Sequence, residues 1–349
     1  MATEATDPGA TKVAVIGAGS WGTTVASLTC CNAPTVLWAR SRELATEIAA
    51  TGVNRRYLPD FVLPARLRAT SVLEEALSGA DVVVMGVPSH GFRGVLRAGA
   101  EWIRPGVPVV SLTKGLEEGS LKRMTELIAE LPGHHPAGVL TGPNLAGEIM
   151  AGRPAASVIA MSDAALAAEL QQIFSRPGFR VYTNPDVIGC EVAGALKNVM
   201  ALAAGMCDGM GLGDNAKAAI MTRGLAELAR LGGALGGQEL TFSGLAAMGD
   251  LMVTCMSRQS RNRFVGEQLG RGRTIADVTA EMQMVAEGIK TSRAAVALGT
   301  LVGVELPIAE QVAAVIDGST TAAEIVPALM LRQPKPELEG IAHRLSDRT

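Results

Sequence analysis

The sequence predicts an α/β protein of two domains, in which a doubly wound sheet is followed by an all-α domain. Short apolar segments alternate with helical or turn-rich stretches in the first half, and long Ala/Leu/Met/Gly segments without strand alternation follow. The 349 residues also exceed the usual size of one hydrophobic core. We expect a first domain over 11–187 and a second over 188–332, with tails at 1–10 and 333–349.

The first predicted strand, residues 12–16, leads into a glycine-rich turn. The turn reads Gly17-Ala-Gly19-Ser-Trp-Gly22 and is followed by a helical segment over 23–29. In a Rossmann-like dinucleotide site the first glycine allows the tight turn, the second lets the pyrophosphate approach, and the third lets helix pack on strand. A plain glycine turn is the alternative. The order of strand, glycines and helix predicts dinucleotide binding.

The second predicted strand, residues 35–39, ends at Arg40-Ser-Arg42. An enzyme specific for the unphosphorylated cofactor usually has an acid here, on the ribose hydroxyl. An arginine suits a 2′-phosphate, so the sequence favours NADP(H) over NAD(H). Alternatively, Arg40 stacks beside the adenine and tolerates both cofactors.

The remaining predicted strands complete the sheet. They span residues 81–86, 108–112, 137–140, 156–161 and 179–182. Ligands of doubly wound sheets collect beyond the carboxyl ends of the strands. Lys114 is the only charge in three of the turns that follow strands, 86–89, 113–115 and 141–146. It either meets an anionic substrate or cofactor phosphate, or is a solvated loop lysine.

The second domain begins with an apolar helical run, 192–203, that only Lys197 and Asn198 interrupt. If this helix is buried, its lysine loses solvation and its pKa falls toward the range of a proton-exchanging group. The alternative is a lysine whose long stem carries the ammonium to water. Lys197 is therefore a candidate general acid and base.

A basic segment later in the chain predicts a phosphate pocket. Residues 257–263 contain three arginines among hydroxyl and amide side chains, and the guanidinium fork suits a dianionic phosphate. A solvated basic loop or a nucleic-acid patch is the alternative, although Phe264 is the only aromatic nearby. If helical, Asp250 and Thr254 share a face. We expect Asp250 to orient Lys197, the alternative being a helix cap.

Composition narrows the classes of partner. The net charge is only −3, which argues against nucleic acid as a partner. The sequence is 48% hydrophobic but has no stretch of about 18 uncharged apolar residues, so we expect no membrane span. The polar, acidic start is unlike a secretory signal. The five cysteines lack metal-ligand spacing, so we expect no metal and a reducing cytoplasmic location.

Taken together, the chain resembles bacterial-type NAD(P)-dependent glycerol-3-phosphate dehydrogenases from residue 12 to about 331. The blocks that carry the resemblance are 17–22, 111–117, 191–199, 211–215, 249–262 and 285–291. The resemblance implies reversible hydride transfer between NAD(P)H and dihydroxyacetone phosphate, giving sn-glycerol 3-phosphate for glycerophospholipid synthesis, in a homodimer.

The resemblance also assigns residues. It implies Lys197 as proton donor and acceptor, steered by Asp250. The substrate residues that it implies are Lys114, Gly142, Asn144, Lys197, Asp250, Ser260, Arg261 and Asn262. The cofactor residues, with the turn glycines Gly17, Gly19 and Gly22, are Ser20, Trp21, Arg40, Lys114, Ala146, Arg261, Val285 and Glu287.

Two other functions fit the same organisation. A β-hydroxyacid or phosphogluconate-type dehydrogenase shares the two-domain plan and an acid/base lysine, but its substrate is a carboxylate. A non-catalytic NADP(H) sensor would keep the glycine turn without needing Lys197 or the arginine segment. Kinetics with dihydroxyacetone phosphate against hydroxyacids separate the two enzymes. Absence of any cofactor oxidation with triose phosphates would support the sensor.

Overall fold

The computed structural model describes residues 11–282, 286–334 and 336–337. The described chain divides into two compact units. The first comprises the described residues of Met1–Thr113 together with Lys122–Val187. The second comprises Lys114–Leu121 and the described residues of Ile188–Thr349. The sequence did not predict that the segment after Thr113 joins the helical unit.

The first unit is built on an eight-stranded sheet. Its strands and those of a separate hairpin are β1 (Val13–Ile16), β2 (Thr35–Trp38), β3 (Val53–Asn54), β4 (Leu58–Val62), β5 (Arg68–Thr70), β6 (Val82–Met85), β7 (Val109–Ser111), β8 (Ala137–Thr141), β9 (Ala155–Met161) and β10 (Phe179–Asn184). The order in the sheet is β10-β9-β8-β7-β6-β1-β2-β5, and β3 pairs with β4. All sheet neighbours are parallel except β8 and β9.

Both faces of this sheet are buried. On β1, Val13 and Val15 enter one apolar cluster while Ala14 and Ile16 enter another. A strand that is buried on both faces has an uninterrupted apolar sequence. For this reason β1 could be predicted from the sequence. The helices of this unit are α1 (Ser20–Thr29), α2 (Arg42–Thr51), α3 (Leu73–Leu77), α4 (Ser89–Gly99), α5 (Met124–Ala129), α6 (Ala146–Met150) and α7 (Ala164–Phe174).

The described ranges of the second unit contain helices and no strand. The helices are α8 (Val187–Met210), α9 (Gly213–Ala234), α10 (Asp250–Met256), α11 (Arg261–Gly270), α12 (Ile275–Ala280), α13 (Glu287–Val302), α14 (Pro307–Ile316) and α15 (Ala322–Met330). A π-helical turn, Leu245–Gly249, precedes α10. The predicted fold class, a Rossmann-like doubly wound sheet followed by an all-α domain, is confirmed.

Helix α8 forms the centre of the second unit, and every residue from Gly189 to Cys207 is buried. Among the described helices, α8 alone is long and apolar enough to span a bilayer, and 89% of its apolar window is buried inside the fold. Burial of this kind is typical of a core helix.

Helices α8 and α11 meet at their backbones. A β-carbon added at Gly205 or Gly209 on α8 would overlap the carbonyl oxygens of Arg263 or Glu267 on α11. Equivalent additions at Gly266 and Gly270 on α11 would overlap the carbonyl oxygens of Leu202 and Met206 on α8. Since only glycine permits such an approach, these four positions set the separation of the two helices.

A buried carboxylate joins two other helices of this unit. Glu227 on α9 is 2% exposed, and its carboxylate accepts hydrogen bonds from the main-chain N–H groups of Ile308, at 2.8 Å, and Ala309, at 3.3 Å. These groups belong to the first turn of α14, where main-chain donors lack helical partners. Burial raises the pKa of Glu227 to about 7, against the lowering effect of the two hydrogen bonds.

Candidate functional site

A buried cluster of charged side chains surrounds Lys197. Lys197 is 5% exposed, and its Nζ donates hydrogen bonds to Asp250 Oδ1 and, at 2.7 Å, to Thr254 Oγ1. Lys114 Nζ lies 2.6 Å from the other carboxylate oxygen of Asp250. Of the two alternatives that the sequence left for Lys197, the structure has the buried one, and Asp250 lies beside it as expected.

Local geometry holds Asp250 and Thr254 on one helical face. The two residues are four apart on α10, and Thr254 Oγ1 donates a hydrogen bond to the main-chain oxygen of Asp250 at 2.6 Å. The π-helical turn that precedes α10 is a feature frequent at functional sites. Asp250 therefore faces two ammonium groups and is not an isolated helix cap.

The electrostatics of the cluster favour proton exchange at Lys197. Burial lowers the pKa of its ammonium to about 7; the Asp250 carboxylate raises that pKa, and the nearby Lys114 ammonium lowers it. Desolvation disfavours the charged form and a carboxylate favours it. Their balance brings the pKa of Lys197 close to neutral pH, the range a general acid and base needs.

An amide network ties three helices together beside this cluster. Asn262 Nδ2 donates to Asn198 Oδ1 at 3.0 Å, and the main-chain N–H of Gly288 donates to Asn262 Oδ1 at 3.0 Å. The side chain of Asn262 thus links α8, α11 and α13. It is 8% exposed, so it fixes the positions of these helices in addition to any ligand it meets.

The predicted arginine segment divides into two parts. Ser260 Oγ accepts a hydrogen bond from the main-chain N–H of Arg263 and caps α11, whose first residue, Arg261, is exposed. Arg263 is instead held by the Asp208 carboxylate and by the main-chain oxygen of Ser257. The guanidinium of Arg263 is thus held by contacts within the second unit. We therefore assign Arg263 to the fold and the exposed Arg261 to the candidate anion site.

Glu287 is the first residue of α13 and is half-buried. Burial raises the pKa of its carboxyl group, while Arg261 exerts the largest lowering effect, followed by Lys114 and Lys197. Val285, which the resemblance placed beside the cofactor, lies outside the described residues.

In the first unit, the glycine turn fits a dinucleotide. A β-carbon at Gly17 would overlap the Gly86 carbonyl, and one at Gly22 would overlap the Gly17 carbonyl. At Gly19 a β-carbon would meet no atom within 4 Å. Trp21 Nε1 is a buried donor without a partner among the described residues. Tight packing at two glycines, open space at the third and an unpaired donor suit a bound pyrophosphate and nucleotide.

Two residues of opposite charge, Arg40 and Glu43, follow β2, where the sequence predicted the ribose of the cofactor to bind. Arg40 is exposed. Glu43, the acid nearest to it in sequence, is hydrogen-bonded to Ser41 Oγ at 2.6 Å, and that bond lowers the pKa of its carboxyl group. Glu43 therefore stays charged within the first turn of α2, where a negative charge stabilises the helix.

At the end of β8, two buried polar atoms lack partners among the described residues, Thr141 Oγ1 and Asn144 Oδ1. Asn144 Nδ2 donates to Ser157 Oγ at 3.0 Å. Gly142 has a φ of +140°, and Ala146 begins α6. The unpaired Asn144 oxygen can accept a hydrogen bond from a ligand.

The predicted site residues are thus divided between the units. Gly17, Gly19, Ser20, Trp21, Gly22, Arg40, Gly142, Asn144 and Ala146 lie in the first, and Lys114, Lys197, Asp250, Ser260, Arg261, Asn262 and Glu287 lie in the second. Within the described ranges, no group of three or more His, Cys, Asp or Glu side chains is placed to hold a metal ion. Sequence reasoning did not single out Asn54, which contacts the glycine turn.

Comparisons with known proteins match both units to one family. The model of the N-terminus of NAD-dependent glycerol-3-phosphate dehydrogenase matches residues 12–167, and that of its C-terminus matches residues 186–327. The chain is 54% identical over 319 residues to a glycerol-3-phosphate dehydrogenase [NAD(P)+] of Sphingopyxis alaskensis, covering 91% of this chain and 96% of the relative.

Two further relatives agree. A glycerol-3-phosphate dehydrogenase [NAD(P)+] of Mycobacterium avium is 50% identical over 341 residues, 97% of this chain and 99% of the relative. The crystal structure of glycerol-3-phosphate dehydrogenase from Coxiella burnetii superposes with a TM-score of 0.88 at 35% identity, covering 93% of this chain and 99% of that one.

Proposed function

Because the chain belongs to the NAD-dependent glycerol-3-phosphate dehydrogenase family, we propose that it is an oxidoreductase interconverting dihydroxyacetone phosphate and sn-glycerol 3-phosphate, with Lys197 exchanging the proton. The observation that carries the proton-exchange role is a buried lysine whose Nζ is held by Asp250 and Thr254, and burial lowers the pKa of this lysine to about 7. A group with this pKa is present in both protonation states near neutral pH.

The roles of the side chains follow from the cluster. When bound, NAD(P)H supplies the hydride for the carbonyl carbon. Lys197 Nζ donates its proton to the carbonyl oxygen, on which negative charge would otherwise develop. Asp250 and Thr254 hold this nitrogen in place through the hydrogen bonds described above. In glycerol phosphate oxidation the neutral amine of Lys197 takes the proton back.

The start of α11 is the proposed phosphate site. Arg261 supplies a guanidinium suited to a dianion, and the first turn of the helix supplies main-chain N–H groups and the positive end of its dipole. Anchoring the phosphate there orients the carbonyl, so binding energy from an unreactive group serves the reacting one.

The cofactor preference, compartment and assembly are proposals of the same kind. Arg40 supports NADP(H) over NAD(H) at the ribose. Five free cysteines among the described residues support a reducing, cytoplasmic compartment. A homodimer and a place in glycerophospholipid synthesis rest on the resemblance to the family.

Absorbance at 340 nm tests the proposed reaction. We expect dihydroxyacetone phosphate to be reduced with NADPH more efficiently than with NADH, and 3-oxo acids without a phosphate to be inactive. Turnover of 3-oxo acids alone would favour the β-hydroxyacid-type rival. Cofactor binding without any turnover would favour the sensor.

Replacement of Lys197 tests its assignment. Lys197→Ala should lower kcat by about 10²–10⁴-fold, the usual contribution of a general acid, while dihydroxyacetone phosphate still binds. Substrate binding is measured by calorimetry with the inactive variant. A Lys197→Ala protein with normal kcat would remove the assignment.

A further inference from the structure

The hairpin β3-β4, which the sequence did not reveal, carries a buried amide that contacts the glycine turn. Asn54 ends β3 and is 0% exposed. Its Nδ2 donates hydrogen bonds to the Ala18 carbonyl at 2.9 Å and to Thr23 Oγ1 at 2.8 Å. Both amide protons of this side chain are thus committed to the turn and to the helix that follows it.

The turn after Asn54 reinforces the contact. Asn54 Oδ1 accepts a hydrogen bond from the main-chain N–H of Tyr57 at 3.2 Å, and the Tyr57 carbonyl accepts one from Ser20 Oγ at 3.2 Å. The hairpin therefore contacts the glycine turn at Ala18 and Ser20 and the following part of α1 at Thr23.

The bond to Ala18 determines the direction of a neighbouring donor. In a planar trans peptide the C=O and the following N–H point in opposite directions. When Asn54 fixes the Ala18 carbonyl, it therefore aims the Gly19 N–H away from the hairpin. Gly19 is also the position where an added β-carbon would meet nothing within 4 Å. The N–H and the open space are both available to an approaching pyrophosphate.

We propose that Asn54 is a positioning residue for the dinucleotide: it holds the Ala18–Gly19 peptide in the orientation that presents a main-chain donor to the pyrophosphate. This inference rests on the proposed NADP(H) binding. It differs from a purely structural role because it places the effect on cofactor affinity and leaves the Lys197 cluster unchanged.

Asn32, an exposed residue of the same unit, offers a control for the loss of side chain to backbone hydrogen bonds. Its Nδ2 donates to three main-chain carbonyls, those of Gln172, Ile173 and Ser175, at 3.2, 3.0 and 2.6 Å. These carbonyls lie at the end of α7 and not in the glycine turn. Asn32→Ala therefore removes a similar set of side chain to backbone hydrogen bonds without freeing the Ala18–Gly19 peptide.

The experiment measures the Kd of NADPH by calorimetry, without triose phosphate, for the full-length wild type, Asn54→Ala, Thr23→Val and Asn32→Ala. Because a lost buried hydrogen bond and a released peptide both weaken binding, Asn54→Ala should raise the Kd by about tenfold. Thr23→Val, which keeps the bond to Ala18, should raise it by about twofold to threefold. Asn32→Ala should leave it unchanged.

Steady-state kinetics provide the second readout. In Asn54→Ala the KM for NADPH should rise, while the KM for dihydroxyacetone phosphate and the pH dependence of kcat stay as in wild type. The inference is overturned if Asn54→Ala binds NADPH within twofold of wild type, or if Asn32→Ala loses as much affinity. If Asn54→Ala does not fold, an unchanged Kd in Thr23→Val overturns it. Absence of NADPH binding by the wild type would instead refute the proposed function.

Discussion

Two carboxylates in the helical unit are almost equally buried but have different partners. Asp250 is 1% exposed and Glu227 is 2% exposed. Asp250 faces the ammonium groups of Lys197 and Lys114, whereas Glu227 accepts hydrogen bonds from main-chain N–H groups at the start of α14. Burial alone therefore does not identify a functional acid.

The partners decide what each carboxylate can do. A carboxylate between two ammonium groups changes the proton affinity of its neighbours, since opposite charges favour each other's ionised forms. A carboxylate that accepts two N–H groups satisfies a helix terminus. The charged side chains that act on Glu227, Arg230 and Glu310, affect its pKa less than burial and these two hydrogen bonds do. We infer that Asp250 belongs to the chemistry and Glu227 to the stability of the fold.

The largest expected effect is on catalysis at Asp250. In Asp250→Asn, loss of the negative charge lowers the pKa of Lys197 further, so less ammonium is present at neutral pH and its nitrogen is held less firmly. We expect kcat for reduction to fall by about 10²–10³-fold. The falling limb of the kcat/KM profile with pH should also move to lower pH. Glu227→Gln is the control and should keep wild-type kcat.

The next effect is on the stability supported by Glu227. Its folded-state pKa of about 7 lies above the ordinary value of 4.5. The folded protein therefore binds the extra proton between these values, and the stability that this group contributes is complete below pH 4.5 and lost as pH rises through 7. Relative to Glu227→Gln, the unfolding free energy of wild type should fall by about 3 kcal/mol over this range.

Urea unfolding from pH 5 to 8 measures this difference. Subtracting the two proteins cancels the titration of all shared groups. Equal pH dependence in wild type and Glu227→Gln would contradict the structural role. Glu227→Ala, which leaves the N–H groups of Ile308 and Ala309 without their acceptor, should be the less stable of the two variants.

Lys114 is expected to act on the pKa of Lys197 in the direction opposite to Asp250. Its ammonium lowers the pKa of Lys197, so Lys114→Met should raise that pKa and move the falling limb of the kcat/KM profile to higher pH. The shift is opposite in sign to the one expected for Asp250→Asn. An unmoved limb would show that Lys114 does not act on the proton of Lys197.

The smallest effect is expected at Thr254. Thr254→Val keeps the shape of the side chain and removes one hydrogen-bond acceptor from Lys197, leaving Asp250 in place. Loss of one hydrogen bond of about 1 kcal/mol corresponds to a fall in kcat of about fivefold. Stopped-flow measurement of a single turnover tests this. A loss as large as that of Asp250→Asn would mean that Thr254, and not the carboxylate, holds the nitrogen.

The sequence predicted most of the sheet because its strands are buried on both faces. The apolar runs located β1, β2 and β6–β10 within one or two residues of their ends. It did not reveal β3, β4 or β5, because Leu58–Val62 has only one buried residue and Arg68–Thr70 has none. Half-exposed strands lack the apolar run from which the others were recognised.

The residues of the candidate site could be predicted from the sequence where they interrupt a repeating pattern. Lys197 and Asn198 stand out in an apolar helix, and the arginines stand out as a cluster. Asn54 and Glu227 do not interrupt any pattern, since a single polar residue in a turn or an amphipathic helix is ordinary. Their importance comes from contacts 31–36 and 81–82 positions away in the chain, which spacing alone does not show.

The glycine contact between α8 and α11 fixes the distance between these two helices. Lys197 lies two turns before Gly205, and Arg261 lies just over one turn before Gly266. The main chains themselves therefore fix the distance between the proposed proton donor and the proposed phosphate ligand. A phosphorylated ketone of another chain length would meet one end of this span and miss the other. A change of specificity to longer substrates would therefore require a change in how α8 and α11 pack, in addition to changes in the side chains that contact the substrate.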